Sequence, residues 1–87
     1  MKERDRRINL ILNELKAGPQ TINEIINKIW RRDISNLEAI EKGPKYYNHL
    51  NKLPVIMVEK KLIEHIGYKQ GPSGQNEKVW KIVQEEL

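Results

Sequence analysis

The sequence predicts a small α+β fold that is mostly α, with three to four helices followed by a two-stranded β-hairpin. Two observations lead to this prediction. In the first two thirds of the chain, apolar residues recur at spacings of three, four and seven, which is the period of helices with one buried face. In the last third, two short runs rich in Ile, Val and aromatic residues flank a polar loop dense in turn formers, a pattern typical of a hairpin.

The first two helices are predicted to be close neighbours in the chain. A single apolar stripe covers residues 4–17, and Gly18-Pro19 ends this helix. Thr21 and Glu24 then have the spacing of a capping box, in which the two side chains accept hydrogen bonds from backbone N–H groups at a helix start. The second helix is therefore expected from about residue 22 to residue 31. Because the connecting turn is short, the two helices must pack closely.

Two more helical segments are predicted before the hairpin. Ser35 and Glu38 repeat the capping-box spacing, so a short extra helix is expected over residues 36–42. Residues 44–60 also keep one apolar stripe, but Pro54 removes a backbone donor and clashes with the preceding turn. The segment is either one kinked helix or two shorter helices that meet near Leu53-Pro54, and the continuous stripe favours the kink. The inward stripe consists of Tyr46, Leu50, Leu53 and Met57.

The rest of the chain is predicted to form the hairpin. Residues 62–69 and 78–83 have the composition of strands, and the loop from Gln70 to Asn76 between them contains no hydrophobic residue. Trp80 and Ile82 fall on one face of the second strand. We therefore expect Trp80 to anchor the hairpin on the helices.

Length and residue inventory exclude several classes of protein. An 87-residue chain supports one domain, which we place at residues 1–83, with a tail at 84–87. The absence of cysteine excludes disulfides, zinc fingers and thiol nucleophiles. The two histidines, His49 and His65, lack the spacing of metal ligands, and no Gly-rich loop carries a phosphate-binding lysine. We therefore predict no enzyme activity, no catalytic residue, no metal and no cofactor.

The sequence also gives no sign of a membrane or of secretion. The longest apolar run, Val55–Val58, is far shorter than a membrane span, and the N-terminus lacks the apolar stretch of a signal peptide. A cytoplasmic, non-secreted protein is expected. No small-molecule pocket can be recognised. The many Ile, Lys and Glu residues and the absence of Phe fit either a heat-adapted or archaeal host or an AT-rich coding bias.

The distribution of charge favours a polyanionic partner. The chain has a net charge of +4, and it has no Asp or Glu in residues 42–58 or in residues 65–76. In a chain with 12 acidic residues, two such stretches suggest surfaces that are kept clear for nucleic acid. The alternative is that chance and buried positions together produce the gaps.

The run Leu50–Leu53, the run from Glu59 to Tyr68, Gly74 and the run Val79–Ile82 together resemble the recognition helix and wing of winged helix-turn-helix transcriptional regulators, in the style of small archaeal and bacterial members. The resemblance covers roughly residues 8–83. It implies sequence-specific binding of double-stranded DNA, with the helix at about 44–60 in the major groove and the hairpin over 69–78 as the wing.

The resemblance also implies which residues contact DNA. The groove-facing side of the helix carries or is flanked by Lys45, Tyr47, Asn48, His49, Asn51 and Lys52. The wing contributes Lys69, Gln70, Ser73, Gln75, Asn76 and Lys78. Asn can pair with adenine through two hydrogen bonds, and Lys can reach guanine or a phosphate. Both sets lie largely inside the two acid-free stretches.

Each of these interpretations has an alternative. Asn48 and Asn51 would look the same on an ordinary solvated helix face, and Tyr47 is either a packing residue or a phosphate donor. The basic N-terminus either contacts phosphates or forms a solvated helix start. A winged helix can also be a protein-interaction module, and an exposed apolar patch at Val55, Ile56 and Val58 would favour that function. The sequence leaves open whether the protein binds DNA as a monomer or as a homodimer.

Overall fold

The structure, a computed structural model, describes residues 3–32 and 37–84, and it has the predicted α+β class with helix in the majority. The elements in chain order are α1 (Glu3–Leu15), β1 (Gln20–Thr21), α2 (Ile22–Arg32), α3 (Leu37–Lys42), a 3₁₀ helix (Pro44–Lys52), α4 (Leu53–Glu59), β2 (Ile63–Gln70) and β3 (Asn76–Ile82). The three strands form one antiparallel sheet in the order β1-β3-β2. None of the helices in the described part of the chain is long and apolar enough to cross a membrane.

The start of α2 has the hydrogen bonds of the predicted capping box. The backbone N–H of Thr21 donates to the Glu24 carboxylate (3.1 Å), and the backbone N–H of Glu24 donates to the Thr21 hydroxyl (3.2 Å). Before it, the turn after α1 passes through Gly18 at a φ of 130°, where a side chain would be strained. The predicted helices over 4–17 and 22–31 are confirmed to within two residues at each end. The helix predicted over 36–42 is present as α3, while Ser35, its proposed cap, lies outside the described residues.

The sheet has a third strand that the sequence did not predict. Gln20 and Thr21 pair with Trp80 and Val79 of β3, so β3 lies between β1 and β2. The buried Gln20 side chain also donates to the Glu14 carbonyl at the end of α1 (2.7 Å). A two-residue strand is too short to show any periodicity. Its effect is to tie the hairpin to the turn between α1 and α2.

The preference for one kinked helix over 44–60 is wrong, because the segment consists of a 3₁₀ helix followed by α4. In an α-helix the Leu50 carbonyl would accept a hydrogen bond from residue 54, and Pro54 has no N–H to give. The Leu53 N–H donates to that carbonyl instead, which is the three-residue spacing of a 3₁₀ helix. Pro54 itself stands in the first turn of α4, where no N–H is required.

The change of period also changes which residues point inward. In a 3₁₀ helix, residues three apart lie on one line, so Tyr47, Leu50 and Leu53 form a buried ridge. Tyr46, which the α-helical stripe placed inside, is only half-buried. The predicted inward positions of Leu50, Leu53 and Met57 are confirmed. The core that they join contains mainly Ile8, Ile11, Leu12, Leu15, Ile25, Ile26, Ile29, Leu62, Ile63 and Trp80.

The hairpin follows the prediction, with small shifts at its ends. The strands pair from Ile63 with Ile82 out to Gln70 with Asn76, and a bulge at Ile66 interrupts the register. Trp80 is buried, and Ile82 packs against the core beside it, as predicted. In the loop the Gly71 N–H donates to the Gln75 carbonyl (2.7 Å) and the Gly74 N–H donates to the Gly71 carbonyl (3.0 Å).

The loop gives a first prediction, at Gly74. This residue has a φ of 84°, and a residue with a Cβ atom is less stable in this conformation by about 1–2 kcal/mol. Gly74→Ala should therefore lower the free energy of unfolding by about 1 kcal/mol, measured by urea denaturation. Ser73→Ala is the matched control, because Ser73 is exposed in the same loop. Equal urea midpoints for the two variants would contradict the loop conformation.

Candidate nucleic-acid interface

The 3₁₀ helix aligns most of the predicted groove-facing residues. Lys45, Asn48 and Asn51 are all exposed and lie on one line, since they are three residues apart. His49 and Lys52 are exposed on the adjacent line. Within residues 3–32 and 37–84, no ion pair neutralises Lys45 or Lys52. We call these five residues the exposed ridges. They present positive charge and amide groups to solvent, on a helix whose opposite side is fixed in the core.

The two asparagines of the exposed ridges differ in their hydrogen bonding. The Asn51 amide donates to the Asn48 backbone carbonyl at 3.1 Å, so one of its two N–H groups is used within the helix. One N–H and the side-chain oxygen of Asn51 remain, which is what a bidentate contact with adenine requires. Both asparagines can therefore act as base readers, and their role stays a prediction.

Tyr47 does not belong to this surface. Its side chain is only 8% exposed, and its ring packs edge-on against the ring of Tyr46 with the centroids 5.1 Å apart. This burial favours packing over a phosphate contact as the role of Tyr47, whose proposed contact with DNA stays a prediction. The three-residue period of the 3₁₀ helix turns it inward.

His49 lies at the edge of the exposed ridges that faces α1. Partial burial lowers the pKa of His49, and the positive charge of Arg7 lowers it further. The imidazole is therefore neutral at neutral pH, with one nitrogen as donor and the other as acceptor. It adds hydrogen-bonding capacity, and no charge, to this surface.

The hairpin is held against the start of α2 by two polar contacts. The Lys69 ammonium donates to the Glu24 carboxylate at 3.1 Å, and the Asn23 amide donates to the Glu77 carboxylate at 2.9 Å. Burial raises the pKa of Glu24, but the Thr21 hydrogen bonds and Lys69 outweigh this effect and lower the pKa overall. Lys69, predicted as a DNA contact, is thus partly neutralised. The sequence could not show this, because Glu24 is far from Lys69 along the chain.

The remaining predicted wing residues are exposed around the loop. They are Gln70, Ser73, Gln75, Asn76 and Lys78. The Gln70 amide donates to the Gly74 carbonyl (3.4 Å), and the Lys78 ammonium lies 5.9 Å from the centre of the Trp80 ring.

Sequence reasoning missed Tyr68. It stands opposite Lys78 in the hairpin, is 64% exposed, and packs edge-on against His65 with the ring centroids 4.8 Å apart. The signal was an aromatic residue in the strand next to the basic wing. Tyr68 adds a hydroxyl and an aromatic face to the basic side of the hairpin.

Glu24 provides a second prediction. Glu24→Gln keeps an oxygen that accepts the Thr21 N–H, but it removes the charge that holds Lys69. If the wing lies on DNA, the released Lys69 should raise affinity by about threefold to tenfold and make the logarithmic salt slope steeper by about one unit. The measurement is fluorescence anisotropy on duplex DNA at several salt concentrations.

The control for this prediction is Glu64→Gln, which removes the same charge from an exposed position near the other end of β2. Identical gains in both variants would mean that only net charge matters. No gain in Glu24→Gln would remove Lys69 from the interface.

The described residues contain no group of three or more His, Asp or Glu side chains that could hold a metal ion. Comparison with models of protein families, with curated proteins and with solved structures gave no match.

Proposed function

We propose that this protein is a winged-helix domain that binds double-stranded DNA and regulates transcription. The observation that carries the proposal is the pair of exposed ridges on the 3₁₀ helix. They combine two asparagines with two lysines that no ion pair among the described residues neutralises, and they lie within the acid-free stretch from residue 42 to residue 58. Lysine ammonium groups can contact DNA phosphates, and asparagine amides can form hydrogen bonds with base edges in the major groove.

The layout of the fold supports this proposal. A bundle of helices is followed by a two-stranded hairpin whose tip is polar and largely free of acidic residues. In this proposal the segment at about 44–60 is the groove-reading element and the hairpin over 69–78 is the wing. The buried ridge of the helical segment, formed by Tyr47, Leu50 and Leu53, fixes the orientation of the exposed ridges relative to the core.

The test of this function is duplex binding as a function of salt. If each protomer contacts about three to five phosphates, the logarithm of the binding constant should fall against the logarithm of salt concentration with a slope of about −3 to −5. The measurement is fluorescence anisotropy with a varied pool of labelled duplexes. Undetectable binding at roughly 50 mM salt would exclude the proposal, because the phosphate contribution is largest there.

A second candidate function is protein contact, and one observation favours it. Val55 and Val58 of α4 are 64% and 40% exposed, respectively, while Ile56 between them packs against the core. Two exposed valines on a short helix form a small apolar patch next to the exposed ridges. Sedimentation of the free protein distinguishes a self-association through this patch from a monomer. Val55→Asp together with Val58→Asp should then abolish any dimer.

A further inference from the structure

A cleft separates α1 from the 3₁₀ helix, and the end of α2 closes one side of it. Its volume is about 460 Å³, within the usual range of small-molecule sites. The floor is apolar and includes Leu10, Ile29 and Leu50. The rim carries the guanidinium groups of Arg6, Arg7 and Arg32. His49 of the exposed ridges also lines the cleft, so the cleft adjoins that surface, while its arginines and its apolar floor lie outside the ridges.

The charges around the cleft favour an anion. Two carboxylates, those of Glu3 and Glu14, oppose the three arginines. Glu14 is buried and is engaged by Arg32. Glu3 is exposed, and it accepts hydrogen bonds or ion pairs from Arg6 (2.6 Å) and from Arg7 (3.3 Å). The Glu3 carboxylate therefore occupies the place that the anionic group of a ligand would take. Because the Glu3 side chain is exposed, it can turn away from the arginines into solvent.

We propose that this cleft binds a small organic anion, with an aromatic or other apolar body on the Leu10, Ile29 and Leu50 floor and a carboxylate on Arg6 and Arg7 in place of Glu3. A bare phosphate would leave the apolar floor in contact with water and would fill little of the volume. A neutral apolar molecule would leave the arginines with no new partner. Only a molecule with both an anionic group and an apolar body contacts the arginines and the apolar floor together.

His49 provides an independent reading of occupancy, because it lines the same cleft. The pKa of His49 is lowered by partial burial and by Arg7, while a backbone hydrogen bond with Tyr46 and, to a smaller extent, the charge of Glu3 act in the opposite direction. An anion seated inside the cleft, which His49 lines, offsets the charge of Arg7 at His49 more than the exposed Glu3 that it replaces. Binding should therefore raise the pKa of His49, which an NMR titration of its ring protons can follow.

The experiment uses benzoate as the probe and the full chain without DNA, monitored by amide chemical shifts. Benzoate should shift residues of the cleft, whereas its neutral analogue benzamide and inorganic phosphate should each bind at least about tenfold more weakly. Equal binding of benzamide would show that the arginines are not involved. Equal binding of phosphate would show that the floor is not involved. Either result, or no shift at the cleft, overturns the proposal.

Two variants test the roles of the charged rim in opposite directions. Arg7→Gln should weaken benzoate binding by about tenfold, while Arg4→Gln, also on α1 but outside the cleft, should leave it unchanged. Glu3→Gln should tighten binding severalfold, because it removes the competing carboxylate. Structural damage cannot produce that gain. A Glu3→Gln protein that binds benzoate no better than the wild type would overturn the assigned role of Glu3.

Occupancy of the cleft should also weaken DNA binding, because an anion there lies next to the helix that carries the exposed ridges. This effect on DNA binding rests on the proposed function. The benzoate titration without DNA does not depend on the proposed function. A failure of the cleft proposal can therefore be distinguished from a failure of the DNA-binding proposal.

Discussion

Replacing Trp80 by alanine is expected to remove most of the stability of the protein. The side chain is 7% exposed, and it stands in the central strand of the sheet, between Gln20 of β1 and His65 of β2. Its ring also packs near the His65 ring, with the centroids 5.7 Å apart. Truncation of a large buried aromatic residue costs about 3–5 kcal/mol, against a free energy of unfolding of about 5–10 kcal/mol for a small domain.

Urea denaturation followed by circular dichroism measures this effect, with Trp80→Phe as the matched variant. Phenylalanine keeps an aromatic ring in the same place, so it should retain most of the stability that alanine loses. Trp30 remains as a fluorescence probe in both variants. Its indole N–H donates to the Ala39 carbonyl (2.8 Å), so its emission reports on the contact between α2 and α3. An alanine variant with an unchanged midpoint would refute the register of the hairpin.

The second large effect is expected at Lys52. Lys52→Glu places a negative charge on the exposed ridges, where lost pairing and repulsion from phosphates act together. Affinity for duplex DNA should fall by at least about tenfold at roughly 50 mM salt. The side chain is exposed, and no ion pair in the described ranges depends on it, so the thermal midpoint should change little.

Lys16→Glu separates this local effect from net charge. Lys16 is exposed just after α1, outside both acid-free stretches, and its reversal changes the total charge equally. The anisotropy titration should therefore show a much smaller loss for Lys16→Glu. If a folded Lys52→Glu protein bound DNA as tightly as the wild type, the reading surface would lie elsewhere, and the protein-contact function would become the stronger candidate.

The parts of the fold that short sequence segments determine were predicted well. Gly18-Pro19 and the capping box at Thr21 mark the end of α1 and the start of α2, because each acts on hydrogen bonds within a few residues. Trp80 was placed correctly because it and Ile82 are two residues apart and therefore share one face of β3. The loop of the hairpin was recognised by its glycines, and Gly74 adopts the positive φ that only such a residue accepts readily.

The errors arise where distant groups or a change of helix type decide the outcome. The pairing of β1 with β3 and the contact between Glu24 and Lys69 join residues that are far apart in the chain, and no local pattern records them. Tyr46 and Tyr47 were exchanged because an α-helical period was applied to a 3₁₀ segment. The cleft beside α1 could not be foreseen, since its arginines and its apolar floor come from three separate helices.

The 3₁₀ geometry of Pro44–Lys52 fixes the spacing at which this protein presents side chains. Its nine residues extend over about 18 Å, where an α-helix of the same length would cover about 13.5 Å. Lys45, Asn48 and Asn51 lie on a straight line along the 3₁₀ helix, about 6 Å apart. In an α-helix each successive residue of this set would be rotated by about 60° about the helix axis. Two base-pair steps along one strand measure about 6.8 Å. In the proposed complex with DNA, these three side chains would therefore match alternate base pairs along one strand, and three adjacent base pairs would match them poorly.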